Sequence, residues 1–316
     1  MKAFVAGATG VLGRRVVRSL VTPGVETTGI GRTPERRAEL AEAGALAVEL
    51  DLFARSAVMR AVAGHDVVFN LATSIPIGGR ANRPGAWGEN DRIRREGSRN
   101  LVDAALAAGA RAYVQESVAF VYADGGNEYL DESAPVDATN LTYAALLGEA
   151  EAARFAQHGG TGIALRFGQF YGYDSGHTVA ALNAARAGLP VELGPESAYR
   201  SAITTDDAAS AVVAALTAPS GIYNVVDDRP LTRAEYVDAL ASSLGVPTPT
   251  VRSVIPREAD DLSVMLRSQR VSNRRFKEVT DWSPRSPSAW EGWVHVIADW
   301  RDSLTTHGTL PATTDA

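Results

Sequence analysis

The chain has 316 residues, 45% hydrophobic and 22% charged, with 31 basic against 37 acidic side chains and a formal charge of −6. That balance argues against nucleic acid as the main ligand, because affinity for a phosphate backbone comes largely from Lys and Arg that displace condensed counterions. With no cysteine, disulfides, thiolate nucleophiles and thiolate metal sites are excluded, so any chemistry must come from other groups.

The first half alternates short apolar runs with longer helical patterns, the signature of βαβ units in a parallel sheet. Strands are predicted at residues 2–6, 25–30, 45–50, 67–72, 112–115 and 163–167, with helices at 12–20, 34–42, 56–62, 87–108 and 141–157. One doubly wound sheet with right-handed crossovers accounts for this order. After Gly172 the rhythm changes to a helix over 178–187, a helix over 203–216 and a strand over 222–226. Thr232 and Glu235 form a capping-box opening for a helix that ends at Gly245. From Pro247 the Pro-, Ser- and Arg-rich text reads as a smaller cap with little sheet of its own. In the last helix Trp290, Trp293, Ile297 and Trp300 share one face, which reads as a buried packing stripe rather than a ligand-stacking face. Residues 305–316 are short, polar and expected to fray. No run of about 18 apolar residues and no signal-peptide pattern is present, so a cytoplasmic protein without a membrane span is expected.

Gly7-Ala8-Thr9-Gly10-Val11-Leu12-Gly13 follows the first strand and opens the first helix, the context that makes a glycine pattern informative. Gly7 permits the tight turn, Gly10 lets a pyrophosphate approach the backbone, and Gly13 lets helix and strand pack closely. Thr9, Val11 and Leu12 complete the positive end of that helix, whose N–H groups face the phosphates. A site preferring NAD carries a carboxylate at the end of the second strand for the ribose 2′-hydroxyl. Gly31-Arg32 stand there instead, followed by Arg36 and Arg37. A guanidinium fork suits a 2′-phosphate, so NADP(H) is expected over NAD(H), with Arg32 the main contact and Arg14, Arg36 or Arg37 in support. For Arg36 and Arg37 a solvated helix face is the equal alternative.

With these residues on the page, the chain resembles an extended or atypical short-chain dehydrogenase/reductase of the NAD(P)-dependent epimerase/dehydratase kind. The likeness rests also on Asp51-Leu52, Asn70-Leu71-Ala72, Gly97-Ser98-Arg99-Asn100-Leu101-Val102, Val121-Tyr122, Leu165-Arg166 with Tyr171-Gly172, Arg200 with Ile203 and Asp207-Ala208, and Tyr223-Asn224-Val225. It implies an α/β fold: a Rossmann-type doubly wound parallel sheet from residues 1–172 and 203–226, with a smaller, mostly helical substrate cap from 173–202 and 227–316. It implies that Asp51 and Leu52 hold the adenine and that Leu71, Ala72 and Thr73 line the ribose and nicotinamide, with Phe167 in the same cofactor set. A helix N-cap is the other use open to Asp51. The resemblance further implies a homodimer through the fourth and fifth helices. Ala104, Ala105, Ala107, Ala108, Ala144, Ala145 and Ala150 would permit close packing there, although helix propensity explains them equally.

Catalysis in this superfamily uses a tyrosine, a lysine four residues later and a serine or threonine at the end of the fifth strand. The tyrosine exchanges a proton with the substrate oxygen, the lysine lowers the phenol pKa and holds the cofactor ribose, and the serine polarises the carbonyl. Tyr143 fits the first place. Leu147 occupies the lysine place and Val118 the serine place, and Lys2 and Lys277, the only lysines, lie elsewhere. A neutral phenol is a poor base at neutral pH but still donates a proton as an alkoxide develops, so NADPH-dependent reduction is the expected direction. Glu116 is the candidate for another base, against a carboxylate paired with an arginine or capping a loop. Ser117 replaces the missing hydroxyl only if the strand end shifts by one residue. Tyr122 is either a second phenol of the site or packing beneath the loop.

On the substrate side stand Ser74, Gln169, Tyr171, His177 and Arg200; Arg200 matches a family arginine that contacts a nucleotide diphosphate. A phosphate-free small organic substrate is at least as compatible, and His177 reads also as an exposed loop histidine. No pair of histidines has metal-ligand spacing, so no metal is expected. Three function classes stay open: an NADPH-dependent or epimerase-like oxidoreductase acting on a small carbonyl compound, a non-redox lyase, dehydratase or cyclase using Glu116 and Tyr143, and a silent cofactor-binding regulator.

Overall fold

The apolar run Lys2–Ala6 forms strand β1, buried at every residue after Lys2. The computed structural model describes residues 1–77, 81, 83–252 and 264–307. Along the chain follow β2 (Glu26–Ile30), β3 (Leu46–Val48), β4 (Val67–Asn70), β5 (Ala112–Val118), β6 (Tyr129–Leu130), β7 (Thr161–Phe167), β8 (Gln169–Tyr171), β9 (Tyr199–Arg200), β10 (Ala202–Thr204), β11 (Gly221–Val225), β12 (Leu231–Thr232) and β13 (Arg270–Val271). Seven of them build one parallel sheet in the order β11-β7-β5-β4-β1-β2-β3. The strand order reverses between β1 and β4, which places the binding crevice of an open α/β sheet beyond the carboxyl ends of those strands.

Helices α1 (Gly13–Val21), α2 (Pro34–Glu42), α3 (Arg55–Val62), α4 (Gly88–Arg92), α5 (Ser98–Ala108) and α6 (Tyr143–Gln157) serve the sheet, followed by α7 (Gly176–Arg186), α8 (Thr205–Ala214) and α9 (Arg233–Leu244). One face of the sheet buries Val5, Phe69 and Val114 with Val16, Leu20 and Val212 of α1 and α8. The other buries Phe4, Val68 and Tyr113 with Leu101, Ala105 and Phe155 of α5 and α6. Each fully buried Val, Leu or Phe side chain contributes about 1.5–3 kcal/mol, so both layers are firmly seated. A separate core joins Leu182 of α7 and Leu240 of α9 to Trp293, Ile297 and Trp300 of the helix Ala289–His307. The tryptophan stripe is therefore packing, with Trp290 partly buried at its edge.

The capping box at Thr232 and Glu235 is present, and Gly245 closes α9 in the left-handed region. Three expectations are corrected. The predicted helix 87–108 is interrupted by a π turn, Ile93–Gly97, a feature that side-chain periodicity does not encode. The predicted helix 203–216 starts with β10, paired to β8, because Thr204 caps α8 from outside through its bond from Asp207 N. The fifth strand runs three residues beyond its predicted end, to Val118, because β7 continues beside it in register. Of the seven alanines considered for a dimer face, Ala104, Ala105, Ala144 and Ala145 are buried within the chain, while Ala107 and Ala150 are exposed. Residues 305–307 of the tail expected to fray continue the last helix, and 308–316 lie outside the described residues.

Candidate active site

The glycine turn fits a pyrophosphate. Gly7 has φ +77°, and a Cβ there would fall 2.5 Å from the Leu71 carbonyl oxygen; at Gly13 it would fall 2.0 Å from that of Gly7. These are backbone contacts, so neither position accepts a side chain. Gly10 meets only the Gly7 oxygen, at 3.3 Å, and is exposed, which leaves the outer face of the turn open. No side chain caps α1 at Leu12 and no acid lies in its first turn, so its positive end stays available to an anion. Thr9 and Val11 are half-buried beside it, and Leu12 packs into the core.

At the end of β2, Arg32 is exposed and its Nη1 lies 3.4 Å from Glu89 Oε1. The three arginines expected to support it hold carboxylates more closely: Arg14 on Asp174 at 2.6 Å, Arg36 on Glu39 at 2.9 Å, and Arg37 on Glu49 at 2.7 Å. Asp51 is exposed, and its carboxylate accepts from Phe53 N at 2.9 Å in a local turn. The N-cap of α3 is Ala54, so the capping alternative for Asp51 is set aside. Leu52 is fixed by Asn100, whose Nδ2 donates to its carbonyl at 2.8 Å. Leu71 and Ala72 are buried at the end of β4 and Thr73 is exposed just beyond.

Tyr143 is the first residue of α6 and is 57% exposed. Leu147 lies one turn further and Val118 ends β5, so apolar groups occupy both the lysine and the serine places. Glu116 is not a free base: Arg94 Nη2 donates to both its carboxylate oxygens, at 2.9 and 2.8 Å, and both side chains are buried. Burial pushes the Glu116 carboxyl above the usual range, opposed by the pull of Arg94. Ser117 does not shift into the place of Val118. It donates to Glu149 Oε1 at 2.6 Å, on the α6 side of the strand. Arg166 holds that same carboxylate by two bonds of 2.7 Å and lies over the Tyr122 ring at 4.9 Å. Tyr122 is fully buried, its hydroxyl donating to Asn224 Oδ1 at 2.7 Å, and burial raises its pKa. It is packing. Arg94 and Glu149 escaped the sequence reading because each looks like a helix-surface charge; only the π turn and the packing of α6 on β5 and β7 turn them inward.

The substrate-side residues scatter. Ser74 is half-buried, its N–H donating to Asn90 Oδ1 at 3.1 Å, and Gln169 is half-buried at the start of β8. His177 is exposed in the first turn of α7. Two expected contacts are core instead: Phe167 packs against Phe170 at 5.1 Å, and Tyr171 against Trp293 at 4.9 Å and Tyr236 at 6.0 Å. Arg200 is buried and paired with Glu192. Among the described residues no group of three or more His, Asp or Glu is placed to hold a metal, and no helix is long and apolar enough to cross a membrane.

The profile of the NAD dependent epimerase/dehydratase family matches residues 3–226. The chain belongs to the NAD-dependent epimerase/dehydratase family. It is an oxidoreductase of the short-chain dehydrogenase/reductase superfamily, and its sheet is the Rossmann-type sheet of that family. Among curated relatives, a Streptomyces 3-diazoavenalumate denitrifying reductase is 34% identical over 96% of this chain and 99% of that protein. A 2-alkyl-3-oxoalkanoate reductase of Shewanella oneidensis is 29% identical over 79% of this chain and 68% of that one. Among solved structures, a Thermus thermophilus UDP-glucose 4-epimerase complexed with NAD has a TM-score of 0.78 at 22% identity, covering 95% of this chain and 99% of that one. A Thermotoga maritima UDP-glucose 4-epimerase with UDP-glucose reaches 0.80 at 20% identity, covering 96% and 100%.

Proposed function

We propose that this family member is an NADPH-dependent reductase of a small carbonyl compound, with Tyr143 as proton donor. The observation that carries the reading is the exposed Tyr143 phenol at the start of α6 with Leu147 and Val118, both apolar, in the lysine and serine places. When bound, NADPH supplies hydride. The turn Gly7–Gly13 takes the pyrophosphate on its open face, Arg32 takes the 2′-phosphate, and residues 173–202, 227–252 and 264–307 belong to the cap that covers the substrate. Tyr143 gives its proton to the oxygen as negative charge develops there, a task that needs no lysine, whereas alcohol oxidation needs a base that this site lacks. The pairing of Glu116 with Arg94 weighs against a lyase that would use Glu116 as its acid or base.

A second substrate class is favoured by the same apolar places together with the 34% identical relative named for a diazo substrate. Reductive loss of dinitrogen from a diazonium carbon balances as one hydride gained and one N2 released. No proton is required from the protein, so Val118 and Leu147 cost that reaction nothing. The test is to follow nicotinamide absorbance with aryl aldehydes, β-keto acids and aryl diazonium salts, and to measure N2. Consumption of NADPH with any of them supports a reductase, and the gas separates the two classes. No consumption by any, with NADPH bound, sinks the proposal.

A further inference from the structure

We infer that the substrate carries a carboxylate and that Arg233, with Arg200, receives it in the recess just past the end of β5. The inference rests on the reductase reading in taking that strand end as the substrate side. It departs from the nucleotide-diphosphate role that the family resemblance gives Arg200. The recess is lined by Ala119 and Phe120, which follow Val118 directly in the chain, and by Arg200, Arg233, Met265 and Arg267.

Three buried arginines meet there, and their partners do not balance. Arg267 is fully engaged: it donates to the carbonyls of Tyr122 and Asp137 and, at 2.6 Å, to Asp137 Oδ2. Arg200 donates through Nη1 to Glu192, while its Nε has no partner. Arg233 is 3% exposed, yet its only hydrogen bonds among the described residues go from Nη2 to the carbonyls of Met265 and Arg267, at 2.6 and 2.9 Å. Its Nε and Nη1 are buried with no partner. Arg200 and Arg233 thus share one buried carboxylate, Glu192; Asp124 also acts on Arg233 but is exposed and accepts from Gly126 N and Ser268 N, so among the buried groups there is an excess of one positive charge. Burial and the neighbouring Arg200 push Arg233 down to about 10, which keeps it a cation at neutral pH. An unpaired buried guanidinium is costly, and proteins keep such groups where a ligand completes them.

Charge and size select the ligand. One excess positive charge matches a monoanion. The open space between the side chains is about 10 Å³, room for about one water-sized group. That is the size of a single carboxylate oxygen and far too small for a pyrophosphate.

The test uses NADPH-saturated protein and calorimetric titration with benzoate and hexanoate against their neutral amides, and with UDP. Both carboxylates should bind at least ten-fold more tightly than the amides and more tightly than UDP. Arg233→Met should lose this preference while retaining NADPH affinity and showing no fall in ligand-free Tm. Arg233→Lys, which restores a charge, should recover part of it. Equal binding of acid and amide, no acid binding, tighter UDP binding, or an unchanged preference in Arg233→Met overturns the inference. If wild-type protein fails to bind NADPH, the reductase reading falls separately. The carboxylate titration on cofactor-free protein then decides the anion site by itself.

Discussion

Arg94 and Glu116 form a buried, two-bond ion pair between the π turn before α5 and the carboxyl end of β5. The pair ties the helix layer to the strand end that faces the proposed chemistry, and it occupies the carboxylate that sequence alone offered as a base.

Removing one member leaves an uncompensated buried charge. Glu116→Gln should therefore destabilise the protein by about 3–5 kcal/mol in urea unfolding. The double change Glu116→Leu with Arg94→Met should cost clearly less. If Glu116→Gln instead kept full stability and lost only turnover, Glu116 would have to be reinstated as a catalytic group.

Arg32 is exposed at the end of β2, the place where a 2′-phosphate contact is needed. Arg32→Ala should weaken NADPH binding by about ten-fold or more, in line with about 1.5–3 kcal/mol for a charged hydrogen bond. NADH binding should change by less than about two-fold. Fluorescence titration of both nucleotides checks this, and equal losses for the two would remove Arg32 from the 2′-position.

Tyr143→Phe separates the two substrate classes. A general acid is worth about 10²–10⁴ in rate, so carbonyl reduction should fall by that order at unchanged stability. Reductive loss of N2 from a diazonium substrate should persist, because it needs no phenolic proton. Stopped-flow absorbance on both substrates provides the reading.

Asp227 is buried with Oδ1 unpartnered, and burial together with neighbouring Asp228 raises its pKa well above the ordinary range. An acid held protonated by the fold binds more protons folded than unfolded, so stability falls as pH rises from about 4, the ordinary value, through the raised one. Asp227→Asn mimics the protonated form. The variant should match wild type near pH 4 and exceed it by about 1–3 kcal/mol at pH 8. Thermal melts across that range test it, and parallel curves would show that Asp227 does not titrate in the window.

The dinucleotide cradle was legible in the sequence because its requirement is local: a turn with φ +77° at Gly7 and a helix packed within van der Waals range at Gly13 admit no side chain, and both follow a strand visible from its apolar run. The capping box at Thr232 and the packing role of the tryptophan stripe were legible for the same reason, since each depends on residues within three or four positions. The vacancies at Val118 and Leu147 needed no structure at all. What the tertiary structure alone decided is where each buried charge finds its partner. Glu116, Ser117, Tyr122 and Arg200 meet Arg94, Glu149, Asn224 and Glu192 at separations of 8 to 102 residues. A buried charge is paid for by whichever opposite group the fold brings within hydrogen-bond reach, and sequence spacing carries no record of that distance.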